Sequence, residues 1–241
     1  MSRPAVVCVH GLGGTPHSVL PLTAAAHAAG YTTVAPRLPG HGTNPDDLVD
    51  IDWSDWRHAL DDLLDELSPR ANGLVLVGQS MGATLSLQIA ATRSDVVGVA
   101  AINAIVLPPD PDATEHLEHL ISHGRTMQPA GDPDLRDPGA HDSAYAEIPL
   151  HALLQLGIGT TLTHELIPHI TAPVMVVSSD HDQVVDPANS DALANALVGR
   201  VTRLRLGDSG HVAALDFDRD QLCRELLSWL ARLTDESASS V

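Results

Sequence analysis

The chain contains no lysine, so its 13 cationic side chains are all arginines and face 31 aspartates and glutamates. The formal net charge of −18 at pH 7 repels nucleic acid and anionic membranes, and we expect neither as a partner. Adaptation to salt and a GC-rich genome both favour arginine and aspartate over lysine, and both explanations stay open.

Cysteine is scarce as well, and long apolar runs are absent. The two cysteines, Cys8 and Cys223, lie in a predicted strand and a predicted helix. We expect both to be small buried apolar residues that form no disulfide framework. The first strand begins by residue 4 without the apolar stretch of a signal peptide. No apolar run approaches the ~18 residues that span a bilayer. We therefore expect a cytoplasmic protein without stable membrane insertion.

The 241 residues fit one α/β domain. Strand and helix patterns alternate along most of the chain, which predicts right-handed βαβ units and a mainly parallel sheet with helices on both faces. We expect about six strands, near residues 4–9, 32–36, 73–77, 96–101, 173–178 and 201–206. The helical patterns occupy residues 18–29, 54–67, 83–92, 187–198 and 218–233.

The alternation breaks between residues 104 and 170, where proline- and glycine-rich stretches appear. We expect this segment to be a cap insertion over a core made of residues 1–103 and 171–241. Its apolar side chains could line a pocket for an acyl chain or pack the cap onto the core, and both roles stay open. The candidates are Leu107, Leu117, Leu120, Ile121, Leu153, Leu154 and Ile158.

Residues 78–82 read GQSMG and stand between a strand pattern and a helical pattern. A G-x-S-x-G sequence in this position is typical of the nucleophile elbow of α/β-hydrolases. The turn is tight and strained at its serine, and Gly78 and Gly82 leave room for backbone to pass close by. A serine, instead of aspartate or cysteine, argues against dehalogenase and dienelactone hydrolase chemistry. We therefore predict Ser80 as a nucleophile.

An acid and a histidine follow the serine in the chain order that this fold uses. A buried-strand pattern ends in a polar loop that carries three candidate acids, Asp180, Asp182 and Asp186. Asp180 directly abuts the strand, where it could cap the turn, and Asp182 lies two residues further out. A later strand leads into His211, the expected general base, because a serine hydroxyl needs an adjacent base to become a nucleophile.

Two backbone N–H groups complete the predicted mechanism. The first strand runs into a glycine-rich turn at residues 10–14 (HGLGG), which would point the N–H of Leu12 into the site. With the N–H of Met81, the residue after the nucleophile, it would bind the oxyanion of a tetrahedral intermediate. We expect His10 to brace this turn by hydrogen bonds and not to react.

Histidine is abundant, at 14 residues, which raises the question of a metal site. His116, His119 and His123 have helical spacing, but the sequence places no acid or cysteine that must come close to them as a further metal ligand. Residues 164–169 (HELIPH) nearly match a zinc-protease motif, with one residue too many between the histidines and a proline that breaks the helix. We expect solvated surface histidines in both places, and no metal or cofactor.

Over nearly its whole length, the chain resembles the bacterial monoacylglycerol lipases and the related small thermostable carboxylesterases of the α/β-hydrolase superfamily. The resemblance is carried by residues 10–18 (HGLGGTPHS), 36–43 (PRLPGHGT), 78–82 (GQSMG), 144–149 (AYAEIP) and 209–216 (SGHVAALD). It implies Ser80, Asp182 and His211 as the catalytic triad, with Leu12 and Met81 as the oxyanion donors.

The resemblance also implies a substrate class. The cap acid that binds the glycerol head in this family, a glutamate there, falls near Asp142 here. The implied activity is serine-dependent hydrolysis of monoacylglycerols or similar medium-chain esters, with the small-molecule ester as the partner. The alternatives are a short-chain carboxylesterase, a cofactor-free C–C hydrolase or perhydrolase and, from another class, a non-catalytic ligand-binding protein. The oligomeric state is left open.

Overall fold

The computed structural model describes residues 3–239 of the chain, and their side chains as far as residue 234. Its central sheet consists of β1 (Ala5–Val9), β2 (Thr32–Val34), β3 (Leu74–Gln79), β4 (Val96–Ile102), β7 (Val174–Ser179) and β8 (Val201–Leu206). All pairings are parallel, in the order β2-β1-β3-β4-β7-β8. The prediction of a parallel sheet of about six strands is therefore confirmed.

Helices cover both faces of the sheet, as predicted. The described α-helices are α1 (Leu20–Ala28), α2 (Trp53–Leu67), α3 (Met81–Ala90), α4 (Pro111–Ser122), α5 (Leu150–Leu166), α6 (Ala188–Ala196) and α7 (Arg219–Ser239). Helix α4 does not lie on the sheet and packs mainly on α5. Side chains of β1 alternate between two buried layers, so that Val7 belongs to the same core cluster as Trp56 of α2, and Cys8 to the same cluster as Trp229 of α7. None of the described helices is long and apolar enough to cross a membrane.

The two cysteines are unpaired, and only one of them is fully buried. Burial raises the pKa of the Cys8 thiol to about 12, so this group stays protonated and inert. Cys223 is half-buried on α7, so the expectation of a buried residue is wrong for this position.

The segment between residues 104 and 170 contains the two helices that the sequence pattern did not predict. These are α4 and α5, separated by an antiparallel pair of short strands, β5 (Met127–Pro129) and β6 (Glu147–Pro149). Helix α5 is docked on the core because Gly159 lies against Trp53, where an added Cβ would come within 2.1 Å of the indole. The Trp53 backbone N–H also donates to Gln155 Oε1 at 3.0 Å, and its indole N–H donates to Gln88 Oε1 at 2.8 Å.

Candidate active site

Ser80 occupies the turn between β3 and α3, at the carboxyl edge of the sheet. Its backbone dihedrals, φ +56° and ψ −123°, lie in a region that L-residues rarely adopt. The two flanking glycines permit this turn, because an added Cβ would lie 2.3 Å from Gly82 O at Gly78 and 2.3 Å from Val9 O at Gly82. The role predicted for the two glycines is therefore confirmed.

His211 and Asp182 form a buried pair on the loops that follow β8 and β7. His211 Nδ1 lies 2.8 Å from Asp182 Oδ2, and the two side chains are 10% and 3% exposed. Asp182 Oδ1 accepts the backbone N–H groups of Val184 and Val185 at 2.9 and 2.8 Å, which fixes the carboxylate plane. Because a carboxylate only accepts, Nδ1 carries the proton and Nε2 is left as an acceptor.

The other two acids of the β7 loop have different partners. Asp180 forms an ion pair with the exposed Arg205. Asp186 Oδ1 accepts the backbone N–H of Ala188 at 2.8 Å, at the start of α6. Of the three acids that the sequence left open, the structure brings only Asp182 to His211.

The turn after β1 passes directly beside the serine. An added Cβ at Gly11 would lie 3.2 Å from Ser80 Cβ, so the next residue, Leu12, is presented at the same cavity as the nucleophile. Met81 opens α3, where the first N–H groups of a helix lack intrahelical partners. Within residues 3–239, no hydrogen bond uses the backbone N–H of Leu12 or of Met81. Two donors are thus free next to Ser80.

His10 braces this turn and is neutral. Its Nδ1 donates to Gly11 O at 2.9 Å, and its Nε2 accepts the Leu38 N–H at 3.2 Å. Burial lowers the pKa of His10, and burial together with the nearby His10 lowers the pKa of His41 to about 3. Both imidazoles therefore stay uncharged at neutral pH and hold the loop by hydrogen bonds and packing.

Two side-chain amides that the sequence reasoning missed hold the backbone of His211. Gln79 Nε2 and Asn103 Nδ2 both donate to the His211 carbonyl, at 2.6 and 2.8 Å. Asn103 directly follows β4 and has a positive φ of +47°. The available signal was its position, a polar residue at the carboxyl end of a buried strand, where α/β folds place functional groups.

A cavity of about 630 Å³ lies over the serine and is covered by the chain between α4 and α5. Leu12, Ser80, Asp142 and His211 all line it. Its remaining wall is mostly apolar and includes Ile105, Pro129, Pro133, Tyr145, Ile148, Leu153, Leu156, Val184 and Val212.

For most of the seven apolar candidates, the two roles that the sequence left open are decided against lining the cavity over Ser80. Of the seven apolar cap candidates, only Leu153 lines the cavity over Ser80. It also lines a separate cavity of about 530 Å³ between α4 and α5, together with Leu117, Leu154 and Ile158. The remaining three, Leu107, Leu120 and Ile121, line neither of these two cavities. The reason is geometric, since the segment after α4, rather than α4 itself, covers the serine.

Asp142 lies at the cavity wall, in the segment between β5 and β6, which is tied to the turn after β1. Its side chain is 5% exposed, its Oδ1 accepts the Ser143 N–H at 2.8 Å, and His17 Nδ1 lies 3.5 Å from the same oxygen. Two further bonds join this segment to the turn: Ser143 Oγ to Thr15 Oγ1 at 2.6 Å, and Tyr145 N–H to Gly13 O at 2.8 Å.

The histidines with metal-like spacing are exposed, as expected. His123 Nδ1 contacts the carbonyl of His119 at 2.8 Å, and His164 Nδ1 contacts the carbonyl of Val106 at 3.0 Å. In the part of the chain that the structure describes, no three His, Cys, Asp or Glu side chains are grouped so that they could hold a metal ion.

The chain is similar to known lipolytic enzymes along almost its entire length. It is 34% identical to a thermostable monoacylglycerol lipase from Bacillus sp. (strain H-257), over 94% of this chain and 90% of that one. It is 24% identical to a carboxylesterase from Bacillus subtilis (strain 168), over 95% and 93% of the two chains. The relation to bacterial monoacylglycerol lipases that the motifs predict is thereby confirmed.

The same relation appears among solved structures. A solved structure reported for the metagenome-derived lipolytic enzymes LipS and LipT superposes on this chain with a TM-score of 0.90 at 29% sequence identity. It covers 96% of this chain, which covers 94% of it. Residues 6–225 match the alpha/beta hydrolase family. With its parallel sheet, its serine elbow and this match, the chain belongs to the alpha/beta hydrolase family.

Proposed function

We propose that this protein hydrolyses monoacylglycerols or similar medium-chain carboxylic esters through an acyl-enzyme formed on Ser80. The observation that carries the proposal is the buried His211–Asp182 pair, which opens onto the same mostly apolar cavity as a serine held in a strained elbow. The 34% identity to a monoacylglycerol lipase supports the substrate class.

In the acylation step, Ser80 Oγ attacks the carbonyl carbon of the ester while His211 Nε2 takes the hydroxyl proton. Asp182 stabilises the imidazolium that forms and holds its orientation. The carbonyl oxygen becomes an oxyanion and accepts the N–H groups of Leu12 and Met81. One such donor is typically worth about 2.7–4 kcal/mol in the transition state.

The tetrahedral intermediate then collapses. The bond to the alkoxide breaks, His211 returns its proton to that oxygen, and the alcohol leaves while the acyl group stays on Ser80. A water molecule gives its proton to His211 and attacks the acyl carbon, and the second collapse releases the carboxylic acid and regenerates the serine hydroxyl.

Residues 104–170 act in this proposal as a cap over a core formed by residues 1–103 and 171–241. The cap contributes most of the apolar wall for one acyl chain and also Asp142, whose Oδ2 makes no hydrogen bond within the described residues. A carboxylate at the wall of an otherwise apolar cavity suits the hydroxyl donors of a glycerol head.

A series of monoacylglycerols tests the proposed substrate class. We expect kcat/KM to rise by roughly fourfold for each added methylene, about 0.8 kcal/mol, from butyryl to about decanoyl or lauroyl, and then to level off. Best turnover of acetyl esters would favour the short-chain carboxylesterase. A protein that binds these esters without releasing acid would be the non-catalytic binder.

Substituting Asp142 tests the glycerol contact. Asp142→Ala should weaken monoacylglycerol turnover by about tenfold or more, because a hydrogen bond to a charged group contributes about 1.5–3 kcal/mol. Turnover of the p-nitrophenyl ester with the same acyl chain should change much less, since that leaving group offers no hydroxyl donor. Equal losses of kcat/KM on both substrates would assign Asp142 to the packing of the cap.

A further inference from the structure

One cap residue is hydrogen-bonded to both loops that carry the histidine and its acid. Asp134 Oδ2 accepts the backbone N–H of Gln183 at 2.8 Å and the backbone N–H of His211 at 2.9 Å. The carbonyl of Asp134 also accepts the Val212 N–H at 3.2 Å. Gln183 directly follows Asp182, so a single oxygen atom joins the two halves of the His211–Asp182 pair from the outside.

A second carboxylate makes the reverse connection, from the His211 loop to the cap. Asp216 accepts the backbone N–H groups of Arg136 and Asp137 at 2.9 and 2.8 Å, and that of Gly210 at 2.8 Å. Burial opposes the ionisation of Asp216, but these bonds and the N–H of Phe217 hold its pKa below the ordinary value. Asp216 is thus ionised at neutral pH, and the strip 134–137 is fixed against the loop.

The strip 134–137 and the loop of His211 lie very close to each other. An added Cβ at Gly210 would lie 2.7 Å from the Asp134 carbonyl oxygen and 2.9 Å from Asp134 Oδ1, so no larger residue fits in this position without displacing the cap strip. The His211 peptide is therefore held from two directions: Asp134 accepts its N–H, while Gln79 and Asn103 donate to its carbonyl.

We propose that Asp134 is a positioning residue for the triad, whose carboxylate sets the spacing between the Asp182 loop and the backbone of His211. This inference rests on the proposed function. Asp134 contacts backbone groups and acts on the reaction only through His211 and Asp182. A displacement of about 1 Å in a catalytic group can cost on the order of 10²-fold in rate, which sets the scale of the expected effect.

Two substitutions separate hydrogen bonding from charge. Asp134→Ala removes the acceptor, and we expect kcat to fall by about 10- to 100-fold with little change in KM. Asp134→Asn keeps an amide oxygen that can accept both N–H groups, so kcat should recover to within about fivefold of the unsubstituted protein, given that neutral bonds are roughly half as strong. Asp137→Asn is the matched control, because among the described residues the Asp137 carboxylate bonds only to the Gly139 N–H within its own turn.

Two further readouts follow the triad itself in folded protein. The rate of Ser80 labelling by a fluorophosphonate should fall in Asp134→Ala in parallel with kcat, because labelling needs the same base. The downfield proton NMR signal of the His211 Nδ1–H that bonds Asp182 should weaken in Asp134→Ala and return in Asp134→Asn. An unchanged melting temperature is not required, since both readouts report on molecules that are folded at the temperature of the assay.

The outcomes separate this inference from the proposed function. If the unsubstituted protein is not labelled at Ser80, the serine mechanism fails. If it is labelled and Asp134→Ala is labelled equally fast with an unchanged NMR signal, the positioning role is wrong. A loss confined to KM would make Asp134 a substrate contact at the cavity wall, and equal losses in the alanine and asparagine variants would make its charge the important property. Both results overturn the proposal.

Discussion

Replacing Ser80 or His211 by alanine is expected to abolish ester hydrolysis, with a loss on the order of 10⁶ in kcat. Ser80→Ala removes the atom that forms the acyl-enzyme, so only uncatalysed attack by water remains. His211→Ala leaves the hydroxyl without a base, since Asp182 contacts the ring and not the serine in the structure. The measurement is kcat on the best monoacylglycerol, with fluorophosphonate labelling as a second readout.

The double variant Ser80→Ala/His211→Ala should lose no more activity than either single variant, because groups that act as a unit are not additive. Ser122→Ala and His116→Ala, both exposed on α4, are matched controls and should keep full activity. If Ser80→Ala keeps more than about 1% of kcat, Ser80 is not the nucleophile, because this activity is far above the residual activity expected for a triad knock-out.

The second large effect is expected at the acid. Asp182→Asn should lower kcat by about 10⁴-fold, the scale seen when the acid of such a triad becomes an amide in a serine protease. The amide nitrogen cannot accept the Nδ1 proton of His211, so the ring is no longer held in the tautomer that leaves Nε2 free as a base. The fold should survive, because an amide oxygen can still accept the N–H groups of Val184 and Val185.

Asp180→Asn provides the comparison within the same loop. Asp180 pairs with Arg205, whose side chain is 78% exposed, and solvent screens such surface ion pairs so that they contribute little to stability. Its activity should therefore stay near that of the unsubstituted protein. Equal damage from the two substitutions, or greater damage at Asp180, would contradict the assignment of the acid.

The sequence predicts those parts of the site whose chemistry demands a residue type at a fixed point of the fold. The strained turn at Ser80 requires glycine at both flanks, and the loop histidine follows a strand in a fixed chain order. For the acid, chain order alone leaves three neighbouring aspartates open. Resemblance favours Asp182, and the contact with His211 comes from tertiary structure, because the β7 loop turns Asp180 outward to Arg205.

Helix α5 escaped prediction because the buried face of its second half is built from small and polar residues. Gly159, Thr160 and Thr163 face the core, whereas Ile158 and Leu162 are 49% and 45% exposed. This inverts the usual relation between hydrophobicity and burial. The spacing of the apolar residues therefore does not indicate which face of the helix is buried, or that a helix is present. Helix α4 has no buried residue, but its apolar residues Leu117, Leu120 and Ile121 stand at helical spacing, so this helix could have been predicted from the sequence.

Asp134 and its partners were missed for another reason. The stretch around Asp134 has the composition of an ordinary turn, and its carboxylate is satisfied by backbone N–H groups, which every residue except proline provides. No side-chain pairing in the sequence therefore marks the contact. An acceptor of this kind can be recognised only in the folded structure, where the positions of its donor N–H groups are known.

The hydrogen bonds of residues 134–137 limit how the segment 104–170 can be exchanged with that of a relative. A cassette cut at residues 104 and 170 would take away the acceptor of the His211 and Gln183 N–H groups and two donors of Asp216. A transplant of residues 108–126 alone would leave those bonds intact, since α4 packs mainly on α5. An exchange can therefore include α4, which does not line the cavity over Ser80, but it should keep residues 134–137 together with the loops of Asp182 and His211 that they contact.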